Sequence, residues 1–328
     1  MDHNRQLLDQ SLLVVGTATY VMSALALFGY FLTRKPLLRS IGMPFALAGC
    51  VAQFAELGTR WWMTGVWPLT NLYGSLSLFS ALSVAIFLIF AYRYDLAFLG
   101  GFVLTVAAIA FAYGMTWNEG TMPAVPALQS YWIKIHVPIV IASYASFMVA
   151  FCVSLMYLFK AAVENRYARR GAPLSGAVAA AGPVGADAMS ALGDAPGIGT
   201  IRNDTPALTS AAAAGDATAV WLAGLPSLAR LDVMQYRIIA VGLPLLALGI
   251  ITGAMWAKEA WGAYWQFDAK ENAALASWIV YAVYMHLHTR PRWRGTRTAW
   301  VSVIGFASIV FCYLGVNIFI SGLHSYKM

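Results

Sequence analysis

Eight apolar stretches dominate this chain and constrain its fold more than any other feature. They lie at roughly 11–32, 42–62, 72–91, 97–116, 136–159, 237–256, 272–289 and 299–319. Each is long enough to cross about 30 Å of hydrocarbon as a helix rising 1.5 Å per residue. In lipid, only helices and closed barrels satisfy the backbone internally, and these runs are too long and too evenly apolar for barrel strands. The expected fold is therefore all-α, a polytopic membrane helical bundle of about eight transmembrane helices. Composition agrees: 60% of residues are hydrophobic and 11% charged, against about 25% charged in soluble domains, and mean hydropathy is +0.67.

The formal charge of +7 would raise nucleic acid as a partner in a soluble chain, but here the positive-inside rule accounts for it. With the N-terminus outside, 15 of the 21 Lys and Arg residues fall in the inner segments and six outside. Eight spans then put both termini on the outer (periplasmic) face. The first apolar stretch lacks a basic leader and a cleavage site, so no removable signal peptide is expected. Cys50, Cys152 and Cys312 are far apart in apolar runs and form no CxxC pair, which argues against a redox dithiol or a thiolate zinc site.

Residues 171–220 are rich in Ala, Gly, Pro, Ser and Thr and nearly free of aromatics. Such a composition buries too little apolar area to offset its ordering entropy. The chain accordingly divides into a first transmembrane half (1–160), a flexible cytoplasmic linker (161–235) and a second transmembrane half (236–328).

Of the five histidines, His136 opens the fifth span and His324 follows the eighth, so both lie at the outer face, where imidazoles from two helices can hold haem iron. His286 and His288 lie near the inner end of span seven; two residues apart on a helix, they face different ways. His3 is expected to be solvated. Between spans six and seven, Trp256, Trp261, Tyr264, Trp265 and Phe267 crowd a short outer segment with Lys258, Glu259, Asp268, Lys270 and Glu271. Aromatic faces stack on a flat ligand and cations pair with its carboxylates; Gly262 permits a tight turn. Glu56 in span two is a further ionisable group that should face the bundle interior.

The segment WGAYWQFDAKE (261–271) resembles the tryptophan-rich signature of the haem-handling superfamily, and most of all the CcsA-type (ResC-like) subunit of system II cytochrome c synthases. LQSYWIKIHVP, PLTNLYGSL, WIVYAVYMH and NIFISGLHSY agree; about 165–230 looks like an insertion. The resemblance implies that His136 and His324 are the outer axial ligands of haem b. It implies that His286, with His288 the alternative, meets haem within the membrane. Trp261, Trp265 and Asp268 fall on signature positions, with Phe267 where a second Trp is usual and Ala269 where Pro is common. His136, His324 and Asp268 would then serve the reaction, with Trp261, Gly262, Tyr264, Trp265 and Phe267 around the haem. The implied activity is a holocytochrome c synthase (haem lyase) joining haem vinyl groups to the CxxCH thiols of apocytochrome c in the bacterial inner membrane. The implied partners are a ResB/CcsB-like membrane subunit, apocytochrome c, a thioredoxin-like thiol reductant and membrane lipid. Rival readings are a haem-delivery or ligase component of the other bacterial maturation route, or a non-haem transporter.

Overall fold

The computed structural model describes residues 3–117, 126–170 and 215–319, and among these every regular element is helical. The order is α1 (His3–Thr33), α2 (Pro36–Thr64), α3 (Leu72–Tyr94), α4 (Gly100–Met115), α5 (Ile133–Arg170), α6 (Ala217–Ala223), α7 (Leu228–Trp261), α8 (Ala269–His288) and α9 (Thr296–Val310). A π-helical turn, Phe311–Gly315, and the short α10 (Val316–Phe319) complete the described chain.

The helix boundaries follow local chemistry. Pro36 sits in the first turn of α2, where its missing N–H costs nothing. Asn71 caps α3 by accepting the Gly74 N–H at 2.8 Å. Ser227 caps α7 through the Arg230 N–H at 3.3 Å. Asp268 and Glu271 form a reciprocal capping box at the start of α8.

Among the described residues, seven helical segments are both long and apolar enough to cross a membrane: Leu7–Thr33, Pro36–Thr64, Leu72–Tyr94, Ala97–Met115, Ile133–Arg169, Leu228–Trp261 and Thr296–Gly315. The eighth expected span exists as α8, but it falls short in apolarity because Lys270, Glu271 and Asn272 occupy its first turn. It still runs from one end of the bundle to the other. The Lys270 carbonyl accepts from Cys312 at one end (3.7 Å), and His288 meets Asp232 at the other (2.9 Å).

The expected 161–235 linker has helical shoulders. Helix α5 continues to Arg170, and α6 with the start of α7 packs back onto the bundle, where buried Lys160 donates to the Leu225 and Pro226 carbonyls at 3.2 and 2.9 Å. Residues 171–214 lie outside the described residues.

Helices α3 and α5 are the most enclosed spans. Small polar residues on α5 let neighbouring helices close in: Ser143 donates to the Gly242 carbonyl at 2.8 Å and Ser154 to Ser302 at 2.9 Å. Phe147 stacks on Tyr281 with ring centroids 3.6 Å apart and planes within 5°. The two ends of the bundle are chemically distinct. One gathers Arg34, Arg39, Arg93, Arg230 and Arg237, with Arg39 paired to Asp95 at 2.7 Å and Arg230 donating to the Tyr94 carbonyl at 2.6 Å. The other carries the aromatic segment. Near that end Glu56, almost fully buried, takes hydrogen bonds from Tyr73 (2.8 Å) and Ser77 (3.4 Å) and pairs with Arg60, which also binds Asp9. Glu56 thus faces the interior as its position in a span requires.

Candidate functional site

At the aromatic end a cavity of about 700 Å³ opens between α3, α4, α5, α7, α8 and the π-helical turn, within the size range of small-molecule and cofactor sites. His136 lies in its wall, with Trp256, Tyr264, Trp265, Lys270 and Glu271. Ser75, Tyr113, Trp117 and Tyr144 line it from the first half of the chain, and Cys312 and Tyr313 from the last span.

His136 is held on three sides. Its backbone N–H donates to the Trp132 carbonyl at 2.8 Å. Its Nδ1 lies 2.8 Å from the Gly249 carbonyl of α7. A carbonyl only accepts, so Nδ1 carries a proton, and in the neutral ring the lone pair is then on Nε2, the tautomer that an Nε2 metal ligand requires. The ring also stacks against Trp256, planes within 12° and centroids 6.1 Å apart. The turn before α5 is tied to α7 by Ser130, which donates to Glu259 at 2.8 Å.

The aromatic segment is shaped by its caps. Gly262 ends α7 in a left-handed conformation (φ 83°), its N–H on the Lys258 carbonyl at 3.0 Å, a geometry that favours glycine. Lys258 returns to the Gly262 carbonyl (2.8 Å) and lies 5.7 Å from the centre of the Tyr264 ring. Trp261 packs edge-on to buried Trp256 at 4.7 Å. Phe267 is also left-handed (φ 55°) and 78% exposed. Of the aromatics singled out in the sequence, Trp256, Tyr264 and Trp265 line the cavity, while Trp261 and Phe267, like Gly262, belong to the turn and not to the cavity wall. Asp268 accepts the Lys270 N–H at 3.0 Å and Glu271 accepts the Gln266 and Asp268 N–H groups at 2.9 and 3.2 Å. The acid–base spacing of this segment therefore builds the N-terminus of α8, which lays Lys270 and Glu271 against the cavity.

The two histidines of α8 separate as their spacing requires. His288 is buried, bonded to Asp232 and stacked on Tyr236 and Tyr284 at 4.5 and 5.9 Å. His286 is exposed on the side of the bundle, in line with Leu275, Ile279 and Val283, which are 39%, 49% and 46% exposed. Fifteen residues of α8 separate Glu271 in the cavity wall from His286, about 22 Å along the helix axis, so His286 and His136 serve different places. His324 lies outside the described residues. Among the described residues no three His, Cys, Asp or Glu side chains cluster as a metal site.

Sequence reasoning placed Cys312 in an apolar run and did not single out Tyr313. The π turn puts both on the cavity, Cys312 within 3.5 Å of the Tyr144 hydroxyl. π turns inside α-helices are frequent at functional sites, but an apolar run carries no signal for one.

Residues 69–324 match the family model described as "Cytochrome C assembly protein". The chain belongs to the cytochrome c assembly protein family. Within that family it is a CcsA-type subunit. It is 36% identical over 312 residues to the cytochrome c biogenesis protein CcsA of Gloeothece citriformis (strain PCC 7424), covering 89% of this chain and 88% of that protein. It is 32% identical over 320 residues to CcsA of Gloeobacter violaceus (strain ATCC 29082 / PCC 7421), covering 96% and 92%. Among solved structures, "Cytochrome c Heme Lyase CcmF" shares the fold with a TM-score of 0.60 at 14% identity, over 94% of this chain and 46% of that one. The chain thus spans about half the length of that neighbour and nearly all of its CcsA relatives. The match to the assembly family covers both the cavity and the aromatic turn.

Proposed function

We propose that the cavity receives haem and presents it for covalent attachment to apocytochrome c. The observation that carries this reading is His136. It is an imidazole with its proton pinned on Nδ1 by a backbone carbonyl, set in the wall of an aromatic cavity large enough for a flat ligand, in a chain of the cytochrome c assembly family.

Haem b is a substrate here, and the reaction adds each thiol of a CxxCH segment across a vinyl group, sulfur to one carbon and hydrogen to its neighbour, with no net oxidation. The chain's residues act by position. His136 and His324 would hold the haem iron. Trp265, Tyr264 and Trp256 offer π faces, and Lys270 offers a cation for a carboxylate. The substrate thiols are the nucleophiles, so no nucleophilic side chain is needed, and holding the two reactants in register is itself a large part of the rate. Asp268 contributes by capping α8.

The excess of Lys and Arg at the opposite end supports a cavity on the outer face of a bacterial inner membrane, with both termini on that side. His286 faces sideways among apolar residues, where an imidazole in contact with lipid alone is costly. This supports a second membrane subunit of the CcsB (ResB-like) kind docking on that side of α8 and meeting haem there. A thioredoxin-like protein would keep the CxxCH thiols reduced.

The test is the absorption spectrum of the purified protein, alone and with that partner, for wild type, His136→Ala and His324→Ala. A reduced b-type spectrum that is weakened in both variants and partly restored by added imidazole supports the outer bis-histidine site. Absence of haem from every preparation overturns it in favour of a transporter for another solute.

A further inference from the structure

Gly249 and Gly253 lie one turn apart on the same face of α7, with Trp256 continuing that face. Helix α5 packs directly onto it. A Cβ built on Gly253 would sit 2.7 Å from His136 Cε1 and 2.9 Å from Nδ1, closer than real Cβ atoms approach. The ring cannot slide away and keep its geometry. It is bonded to the Gly249 carbonyl at 2.8 Å, and Trp256 lies parallel to it. A Cβ on Gly242, farther along the same α5–α7 seam, would meet Phe147 at 2.8 Å and leave the histidine untouched.

We propose that Gly253 and the Gly249 carbonyl are positioning elements for His136. The bare backbone at 253 leaves room for the imidazole against α7, and the 249 carbonyl fixes its proton, so that the lone pair stays on Nε2 at one ring orientation. This rests on the haem reading of the cavity. It goes beyond that reading by assigning the ligand's tautomer and orientation to the backbone of a different span. The acceptor is a neutral carbonyl rather than a carboxylate, unlike the Asp232 partner of His288. It lends the imidazole less negative character than a carboxylate would.

The experiment compares the ferrous spectra and membrane abundance of wild type, Gly253→Ala, Gly242→Ala, His136→Gly and the double variant His136→Gly/Gly253→Ala, each with and without imidazole. The expected result is an about 10- to 100-fold weaker low-spin haem signal in Gly253→Ala at normal abundance, the range seen when a partner of a metal-ligating histidine is lost. Gly242→Ala should keep the signal. Imidazole should restore the double variant as it restores His136→Gly, because a free ring, untethered from α5, can reach the iron clear of the extra methyl. A wild-type spectrum in Gly253→Ala overturns the proposal. So does a loss of signal in Gly242→Ala as large as that in Gly253→Ala, since the defect would then be one of helix packing. An unchanged spectrum in His136→Gly would instead overturn the haem reading of His136 itself.

Discussion

Tyr313 donates its hydroxyl to Ser75 at 2.7 Å, and Ser75 passes its own proton to the Leu72 carbonyl at 3.1 Å. Both side chains line the cavity, so this chain of hydrogen bonds ties the last span to the third across the site. Tyr313→Phe removes one oxygen and keeps the ring. A net loss of about 0.5–1.5 kcal/mol is expected, read as a lower unfolding temperature in detergent, together with less haem per protein. Unchanged values for both would show that the tie holds nothing together.

Asp268 separates a structural role from a chemical one. Asn retains the oxygen that caps α8, whereas Ala loses it at a cost of about 0.5–2 kcal/mol. Asp268→Asn should therefore assemble cytochrome c at close to the wild-type level, and Asp268→Ala should lower both stability and yield. Loss of assembly in a stable Asp268→Asn protein would return the carboxylate to the chemistry.

The two α8 histidines should behave oppositely. His288→Ala leaves the buried Asp232 without its imidazole and should destabilise the isolated chain by about 1.5–3 kcal/mol. His286→Ala should change that stability by less than about 0.5 kcal/mol yet abolish the haem signal that depends on the partner subunit. Thermal unfolding of the chain alone, and spectra of the pair, distinguish them. A destabilised His286→Ala chain would refute its assignment to the lateral face.

Glu56 accepts from Tyr73 and pairs with Arg60, whose guanidinium carbon also lies 4.2 Å from the Tyr73 ring centre. Removing one partner of a buried ion pair typically costs about 3–5 kcal/mol. Asp9 still holds Arg60 at 3.1 Å, so Glu56→Ala should fall at the lower end, about 3 kcal/mol, seen as reduced abundance and faster proteolysis of the membrane protein. Full abundance and protease resistance would contradict that role.

The helices were readable from the sequence because hydrocarbon thickness imposes length and apolarity directly. Helix α8 shows the limit of that reading. Its polar first turn, set by the capping box and by Lys270, lowers its hydropathy below that of the other spans although it crosses the bundle. At the site, Tyr264 and Trp265 were found because aromatics and charges sit close in sequence. The pairing of His136 with Gly249 was not, since 113 residues separate them and a glycine in an apolar run carries no mark of what packs against it. Trp256 looked like one more aromatic of the outer segment until its stacking on His136 set it apart.

The π-helical turn at Phe311–Gly315 carries one residue more than a regular turn would. Each residue of an α-helix advances about 100° around the axis. The residues after Gly315 are therefore out of phase with those before Phe311, and the last span has two registers of inward-facing positions rather than one. Across the assembly family, single-residue gaps should be tolerated in this segment and punished elsewhere in the span, because only here can the helix gain or lose a residue while keeping both registers aimed where they already are.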